Sequence, residues 1–448
     1  MNLEKLHKIY FLGIGGIGMS ALARYFMACG IQVFGYDKTQ TPLTEQLINE
    51  GAEIHFEDDI NNIAEDIDLV IYTPAIPQAL SEYQFLLKQE IRMLKRSEVL
   101  GELTKDKFTI AVAGTHGKTT ISSMIAHCFK SANISFAALI GGITTNYNSN
   151  FIGNPNADVF IVEADEFDRS FLTLKPDIAV ISSIDADHLD VYGDKNAVQE
   201  SFQLFADRIK TKGNLILKSG LTIKSDAITQ WTYDLDSKAD FYAKNIKVEN
   251  ESYILNVCAK DQVVSVKMNY PGKHNLENSI AAYAACQLYG INSEIIENAL
   301  ETYSGVKRRF ETIIKTNNLI YIDDYAHHPK ELSACINAVK EIYPECRISG
   351  IFQPHLFSRT RDFVDEFARS LEMLDEIIIM DIYPARECPI EGINANFLMS
   401  RIQHHQKKYL AKSEILSWVK KQKFEVLLTL GAGDIDQFVE PIKKALSV

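Results

Sequence analysis

The stretch Ala111–Met124, AVAGTHGKTTISSM, decides how the chain is read. The run FTIAVAG, 108–114, is short and apolar, which predicts a buried strand, and Gly117-Lys118-Thr119 then opens a segment with helical spacing. A loop of this kind cradles phosphates with its amides, meets their charge with lysine and offers a hydroxyl to Mg2+. The strict form G-x-x-x-x-G-K-[ST] requires glycine where this chain has Val112. Gly114, Thr115, His116, Gly117, Lys118, Thr119 and Thr120 nonetheless keep every part the chemistry uses. A GKT triplet alone is common; its place after a buried strand and at the start of a helix raises its weight.

Working outward, phosphate chemistry also needs carboxylates for a metal. VFIVEADEFD ends the next apolar run with Glu163, Asp165, Glu166 and Asp168. SSIDADHLDVYGD ends another with Asp187, His188 and Asp190. Acidic residues at the carboxyl ends of parallel strands lie where ligand crevices form. A lone histidine is more often a surface or core residue than a ligand, but His188 stands between aspartates after a buried strand.

A second glycine turn precedes the first by about a hundred residues. Gly13, Gly15 and Gly18, with Gly16 between them, satisfy G-x-G-x-x-G after the apolar run KIYFLG and before the helical run MSALARYFMACG. Asp37 closes the following strand candidate. Such a turn lets a diphosphate approach amides at a helix N-terminus, with the acid accepting from a ribose hydroxyl. The bland alternative is a tight helix–sheet packing turn.

At 448 residues the chain exceeds one ordinary core, and 46% apolar with 23% charged residues is a globular composition. No apolar run reaches 18 residues, so no membrane span is expected. The first residues lack a small-residue cleavage site and run into the glycine turn, so no secretory signal is expected. Seven scattered cysteines without C-x-x-C spacing argue against disulfides or a zinc site. A net charge of −13 without a basic stripe argues against nucleic acid.

Apolar runs alternate with helical patterns through three blocks, which predicts α/β architecture with parallel sheets. KIYFLG, IQVFGYD, AEIHF, LVIYT and IRMLK are the strand candidates up to residue 105. FTIAVAG, DVFIVEAD and IAVISSID open the second block, and residues 241–268 alternate as antiparallel hairpins do. A helix is expected over 275–289. NLIYIDDYAHH, CRISGIFQP, EIIIMDIY and EVLLTLGAGD read as the strands of the third block.

Seven motifs, GTHGKTT, EADEFDRSFLTLKPD, DHLDVYGD, GKHNLENSIAA, GVKRRFE, DDYAHHPKE and FQPHLFSRTRDF, follow the order and spacing of the Mur ligase family, which the chain resembles over essentially its whole length. That family uses the short GTxGKT loop, which accounts for Val112. The resemblance implies a Rossmann-like UDP-sugar domain (1–105) and a central P-loop ATPase-like parallel sheet with added antiparallel strands (106–309). It also implies a Rossmann-like α/β domain (310–448) that closes on ATP and binds the amino acid. The implied reaction is ATP-dependent ligation of L-alanine to the lactyl carboxylate of UDP-N-acetylmuramate through an acyl phosphate, in cytoplasmic peptidoglycan synthesis, by a monomer or weak homodimer.

By matching motif, the first turn (Gly13, Gly15, Gly16, Gly18, Asp37) would hold the UDP-sugar and the second ATP. Lys118 would neutralise phosphate, Thr119 and Glu163 would hold one Mg2+, and Glu163 with His188 a second, with Mn2+ able to substitute. His274, Asn275 and Asn278 match the adenine-facing element, although HNLEN alone would read as a helix start with Asn275 as its cap. Arg309 and Asp324 match positions closing on ATP; two adjacent arginines would otherwise be a solvated pair. Tyr325 and His327 match residues near the amino acid, and Arg359 one that grips its carboxylate. Relatives often read QPHRYTRTRD there, whereas this chain has Leu356 in place of the first arginine.

Two alternatives stand beside this. One is a ligase attaching a preformed murein tripeptide to the same nucleotide sugar, whose first glycine turn is less regular. The other is an NAD-dependent dehydrogenase, which leaves GTHGKTT and the acidic strand ends unexplained.

Overall fold

The computed structural model describes residues 5–185, 192, 194–225, 228–235, 238–259, 262–385 and 387–447. All five strands expected in the first block form: β1 (Lys8–Leu12), β2 (Gln32–Tyr36), β3 (Glu53–His55), β4 (Leu69–Tyr72) and β5 (Met93–Lys95). They make one parallel sheet of order β3-β2-β1-β4-β5. The strand order reverses at β1, so the crevice at its carboxyl end is where Gly13 begins the first glycine turn.

The second sheet has ten strands. They are β6 (Phe108–Ala113), β7 (Ala137–Thr144), β8 (Ser149–Gly153), β9 (Val159–Ala164), β10 (Ile178–Ile181), β11 (Asn214–Lys218), β12 (Thr229–Asp234), β13 (Phe241–Glu249), β14 (Ser252–Ala259) and β15 (Gln262–Met268). Their order is β15-β14-β13-β12-β11-β10-β6-β9-β7-β8. β6 lies between β9 and β10, parallel to both, and every residue from Thr109 to Ala113 is buried. β13 and β14 are joined by Asn250-Glu251 at φ 49° and 61°, the paired positive values of a tight hairpin turn, as the alternation predicted.

The third sheet joins β16 (Glu311–Lys315), β17 (Ile320–Asp324), β18 (Ile348–Phe352), β19 (Glu376–Ile379), β20 (Lys407–Tyr409) and β21 (Val426–Leu430). Its order is β16-β17-β21-β18-β19-β20, with only β16 antiparallel to its neighbour. The apolar runs picked out β17, β18, β19 and β21; the edge strands β16 and β20 are half-exposed, and their polar residues hid them.

The chain divides into two compact units, one of Met1–Ile246, Ile254–Met268 and Glu277–Ser304, the other of Lys247–Tyr253, Asn269–Leu276 and Gly305–Val448. The boundary expected near 106 therefore falls inside the first unit. The cause is a packed junction. The helix Ile17–Ala28 sets Tyr25 edge-on to Phe151, ring centroids 5.6 Å apart, and buries it in one apolar cluster with Phe11, Phe26, Phe160 and Phe171. Beside it Arg24, 5% exposed, donates to Glu50 at 2.7 Å and to the Asn150 side-chain oxygen at 2.5 Å. Asn150, fully buried, donates in turn to the Ile17 carbonyl at 2.8 Å and the Ser20 hydroxyl at 2.9 Å. A buried charge satisfied this fully ties the helix after the first glycine turn to β8.

Candidate active site

The first turn is shaped by close approach. The Gly13 amide donates to the Tyr36 carbonyl at 2.8 Å, with φ at 84°. A Cβ on Gly15 would lie 2.8 Å from both the Asp37 carboxylate and the Thr44 methyl, and one on Gly18 2.9 Å from the Arg96 guanidinium. Gly16 caps the helix Ile17–Ala28 without a side chain, leaving its first amides open to an anion. Asp37 accepts from the Gly15 amide at 2.8 Å and from the Thr39 amide at 3.1 Å, one on each oxygen. A carboxylate oxygen accepts twice, so each keeps a lone pair for a ligand hydroxyl.

The second turn lies between the ends of β6 and β10. Gly117, at φ 84°, opens the helix Lys118–Ser131, and a Cβ there would come within 2.6 Å of the Asn278 side-chain oxygen. The loop is braced from β10: Ser183 accepts from the His116 amide at 2.9 Å, and Ser182 donates to the carbonyls of His116 and Ala113. The Thr115 hydroxyl accepts from the Asp185 amide at 2.8 Å, and the His116 ring lies 3.4 Å from the Asp185 carboxylate. Thr120 is buried behind the loop.

Lys118 donates to the Gly114 carbonyl at 2.7 Å and to both oxygens of Glu166 at 2.9 and 2.7 Å. Glu163, at the end of β9, accepts from the Thr119 hydroxyl at 3.1 Å, the Ser122 hydroxyl at 3.3 Å and the Gly141 amide at 2.5 Å. A hydroxyl and a carboxylate held this close at a helix start are hard oxygen donors of the kind Mg2+ takes, so these residues fit the ion. Among the described residues no group of three or more His, Cys, Asp or Glu side chains could hold a metal. His188, like Asp187 and Asp190, lies outside the described residues.

Arg96 is a residue the sequence did not single out. It begins the helix Arg96–Thr104, rests against Gly18 of the first turn and pairs with Asp165 at 3.3 Å, just past β9. A small cavity there is lined by Arg96, Ser97, Glu163, Asp165 and Ser170, so one guanidinium links the first glycine turn to the end of β9. Asp168 and Arg169 follow with consecutive left-handed φ of 53° and 55°, backbone strain of the kind that collects at working sites.

In the second unit Asp324, at the end of β17, accepts from the Phe310 amide at 2.6 Å and the Ala326 amide at 2.7 Å. Burial, with the charges of Glu331 and Asp323 adding to it, pushes its carboxyl up to about 7. Arg308 is not a solvated partner of Arg309. It holds Asp323 at 3.4 Å and the Gly431 carbonyl at 2.8 Å, and lies 5.1 Å over the Tyr325 ring. Tyr325, His327, His355 and Tyr383 form a ring ladder with centroids 5.2, 5.9 and 5.7 Å apart, and Arg359 reaches His355 at 3.5 Å. His328 does not share this face; it caps the helix Pro329–Ile342. Leu356 sits at φ 70°, a strained value for leucine.

Asn275 is not a cap either, because the helix begins two residues earlier and runs Lys273–Tyr289. Its amide group donates to the Pro271 carbonyl. Protein crowding and the Arg309 charge push the His274 imidazole down to about 4. One helix carries all three adenine candidates, with His274 and Asn275 grouped in the second unit and Asn278 in the first.

Two nucleotide-type turns, the second carrying Lys118 beside an acid–hydroxyl pair, are the site of an ATP-dependent ligase, and the chain belongs to the Mur ligase family. Residues 8–108 match the model described as Mur ligase family, catalytic domain; 112–286 the Mur ligase middle domain; and 308–433 the Mur ligase, glutamate ligase domain. The chain is 49% identical to the UDP-N-acetylmuramate–L-alanine ligase of Flavobacterium psychrophilum, covering 100% of this chain and 99% of that one. It is 44% identical to the enzyme of the same name from Parabacteroides distasonis, over 100% and 98%. Among solved structures it is similar to the UDP-N-acetylmuramate–alanine ligase of Thermotoga maritima, with TM-score 0.87, 26% identity and coverage of 98% and 99%. It shares its fold with a murein peptide ligase from Psychrobacter arcticus, at TM-score 0.72 and 24% identity over 98% of each chain.

Proposed function

We propose that the chain joins L-alanine to the lactyl carboxylate of UDP-N-acetylmuramate, converting ATP to ADP and phosphate, as a step of peptidoglycan synthesis. The observation that carries this reading is the pairing, in one compact unit, of a nucleotide-sugar turn with a Lys118 loop whose Thr119 meets Glu163 at 3.1 Å.

The carboxylate oxygen attacks the γ-phosphorus, the bond to the bridging oxygen breaks, and ADP leaves. The amine of L-alanine then attacks the acyl carbon, phosphate departs and the nitrogen loses a proton. Gly13, Gly15, Gly16 and Gly18 hold the diphosphate of the UDP-sugar, and Asp37 accepts from its nucleoside. Gly114–Thr120 cradles ATP, and Lys118 offsets the charge that otherwise repels the incoming carboxylate. Thr119 and Glu163 would hold Mg2+, with His188 joining Glu163 for a second ion; bound there, the metal supplies charge neutralisation between the two anions.

Asn278 lies against the loop, and with His274 and Asn275 it faces the adenine. Residues 310–448 close on ATP through Asp324, with Arg309 at the boundary that precedes them, and bind the amino acid through Tyr325, His327 and Arg359. Positioning does most of the work. Among the described residues no helix is long and apolar enough to cross a membrane, which suits a cytoplasmic enzyme; we take it to act as a monomer or weak dimer.

ADP and phosphate release should require all three substrates, and hydroxylamine should trap the acyl phosphate when alanine is omitted. Preference for a preformed murein tripeptide over L-alanine as acceptor would transfer the chain to the tripeptide-adding class.

A further inference from the structure

We propose that Glu166 is an internal competitor of ATP: its carboxylate holds the Lys118 ammonium in the place the nucleotide's phosphates must take. This rests on the ATP site proposed above and adds a positioning residue to it. An ammonium has three N–H donors. The Gly114 carbonyl takes one at 2.7 Å, and the two Glu166 oxygens take the others at 2.9 and 2.7 Å. All three are spent, so phosphate oxygens gain Lys118 only as Glu166 loses it.

The pair is well shielded, with side chains 17% and 4% exposed, so it is not the weak surface kind. The Glu166 backbone is fixed independently of its side chain, its carbonyl accepting from the Arg169 amide at 2.9 Å and from the Tyr192 hydroxyl. The side chain can therefore turn away while the loop stays in place. Arg169, 5.8 Å over the Tyr192 ring, is a cation on the same loop. Glu163, three residues earlier, accepts instead from the Thr119 hydroxyl. The two glutamates of EADE thus have opposite tasks, one assisting the loop and one restraining it.

The test uses the full chain with Mg2+ and ATP, comparing Glu166→Gln and Glu166→Asp by calorimetry and steady-state kinetics. Removing the competitor should tighten ATP binding about tenfold and lower the KM for ATP to match, leaving the KM for alanine unchanged. Glu166→Asp keeps the charge but falls one methylene short of Lys118. Tighter binding in that variant identifies lost contact, whereas tightening confined to Glu166→Gln would mean a field effect and overturn the proposal. Equal or weaker ATP binding in Glu166→Asp also overturns it, and decides alone if Glu166→Gln does not fold. Failure of the ATP site itself is distinguishable, because Lys118→Ala would then bind ATP as the parent does.

Discussion

The two glycine turns of the first unit are built on the same plan and finished differently. Each follows a buried strand, β1 or β6, and opens a helix, the kind of terminus that can receive an anion. The first is closed by shape: Gly15 and Gly18 are crowded by Asp37, Thr44 and Arg96 to within 2.9 Å of where a Cβ would stand. The second is closed by charge, with Lys118 gripped by Glu166. The contrast suits the ligands proposed for them. A turn that binds an unreacting diphosphate needs only a rigid mould, whereas one serving phosphoryl transfer needs a cation that can be handed over.

The sharpest way to break this comparison is to remove the cation. Lys118→Ala should lower turnover by about a thousandfold, the scale seen when one preorganised donor to a developing charge is lost. Binding of the UDP-sugar, measured by calorimetry, should stay within about threefold because the first turn has its own contacts. Loss of both together would show that the turns are not separate devices.

Reversing the test, Gly15→Ala puts a methyl 2.8 Å from the Asp37 carboxylate and the Thr44 methyl. Overpacking of this kind costs about 1–3 kcal/mol, so UDP-sugar affinity should fall roughly tenfold or more while ATP affinity holds. An unchanged UDP-sugar affinity would relegate the turn to helix–sheet packing.

Both turns were legible in the sequence because strand, glycines and helix are local. So was each parallel strand with an unbroken apolar run, such as VFIVEA at β9. Arg96 was not: in MLKRSEVL it looks like any exposed basic pair, and only folding carries it to Gly18 and Asp165. The Arg24–Asn150 junction was hidden for the same reason, its partners lying 126 positions apart. Glu166 was visible as one of four carboxylates, but which of them meets a metal and which a lysine depends on angles at the end of β9. In KRRF the nearer reading of a solvated pair failed because Arg308 finds Asp323 across the third sheet.

A smaller effect separates both turns from the second unit, and it is read with pH. The Asp324 carboxyl, ordinarily near 3.8, stands at about 7 in the fold, chiefly through burial. An acid raised in this way stabilises the folded state while protonated. The contribution is complete below 3.8 and is lost as pH rises through 7. Between pH 6 and 8 the loss amounts to about 1 kcal/mol, with Asp323, raised to about 6, adding a fraction of that. Native-state hydrogen exchange at β17 and β21, corrected for intrinsic rates, should show that loss, and Asp324→Asn should flatten it. UDP-sugar affinity at the first turn should move by less than about twofold over the same range, since its contacts to Gly15 and Thr39 lie in the other unit. If it moves as far as the β17 amides do, the independence of the first turn is lost, and the comparison between the two turns with it.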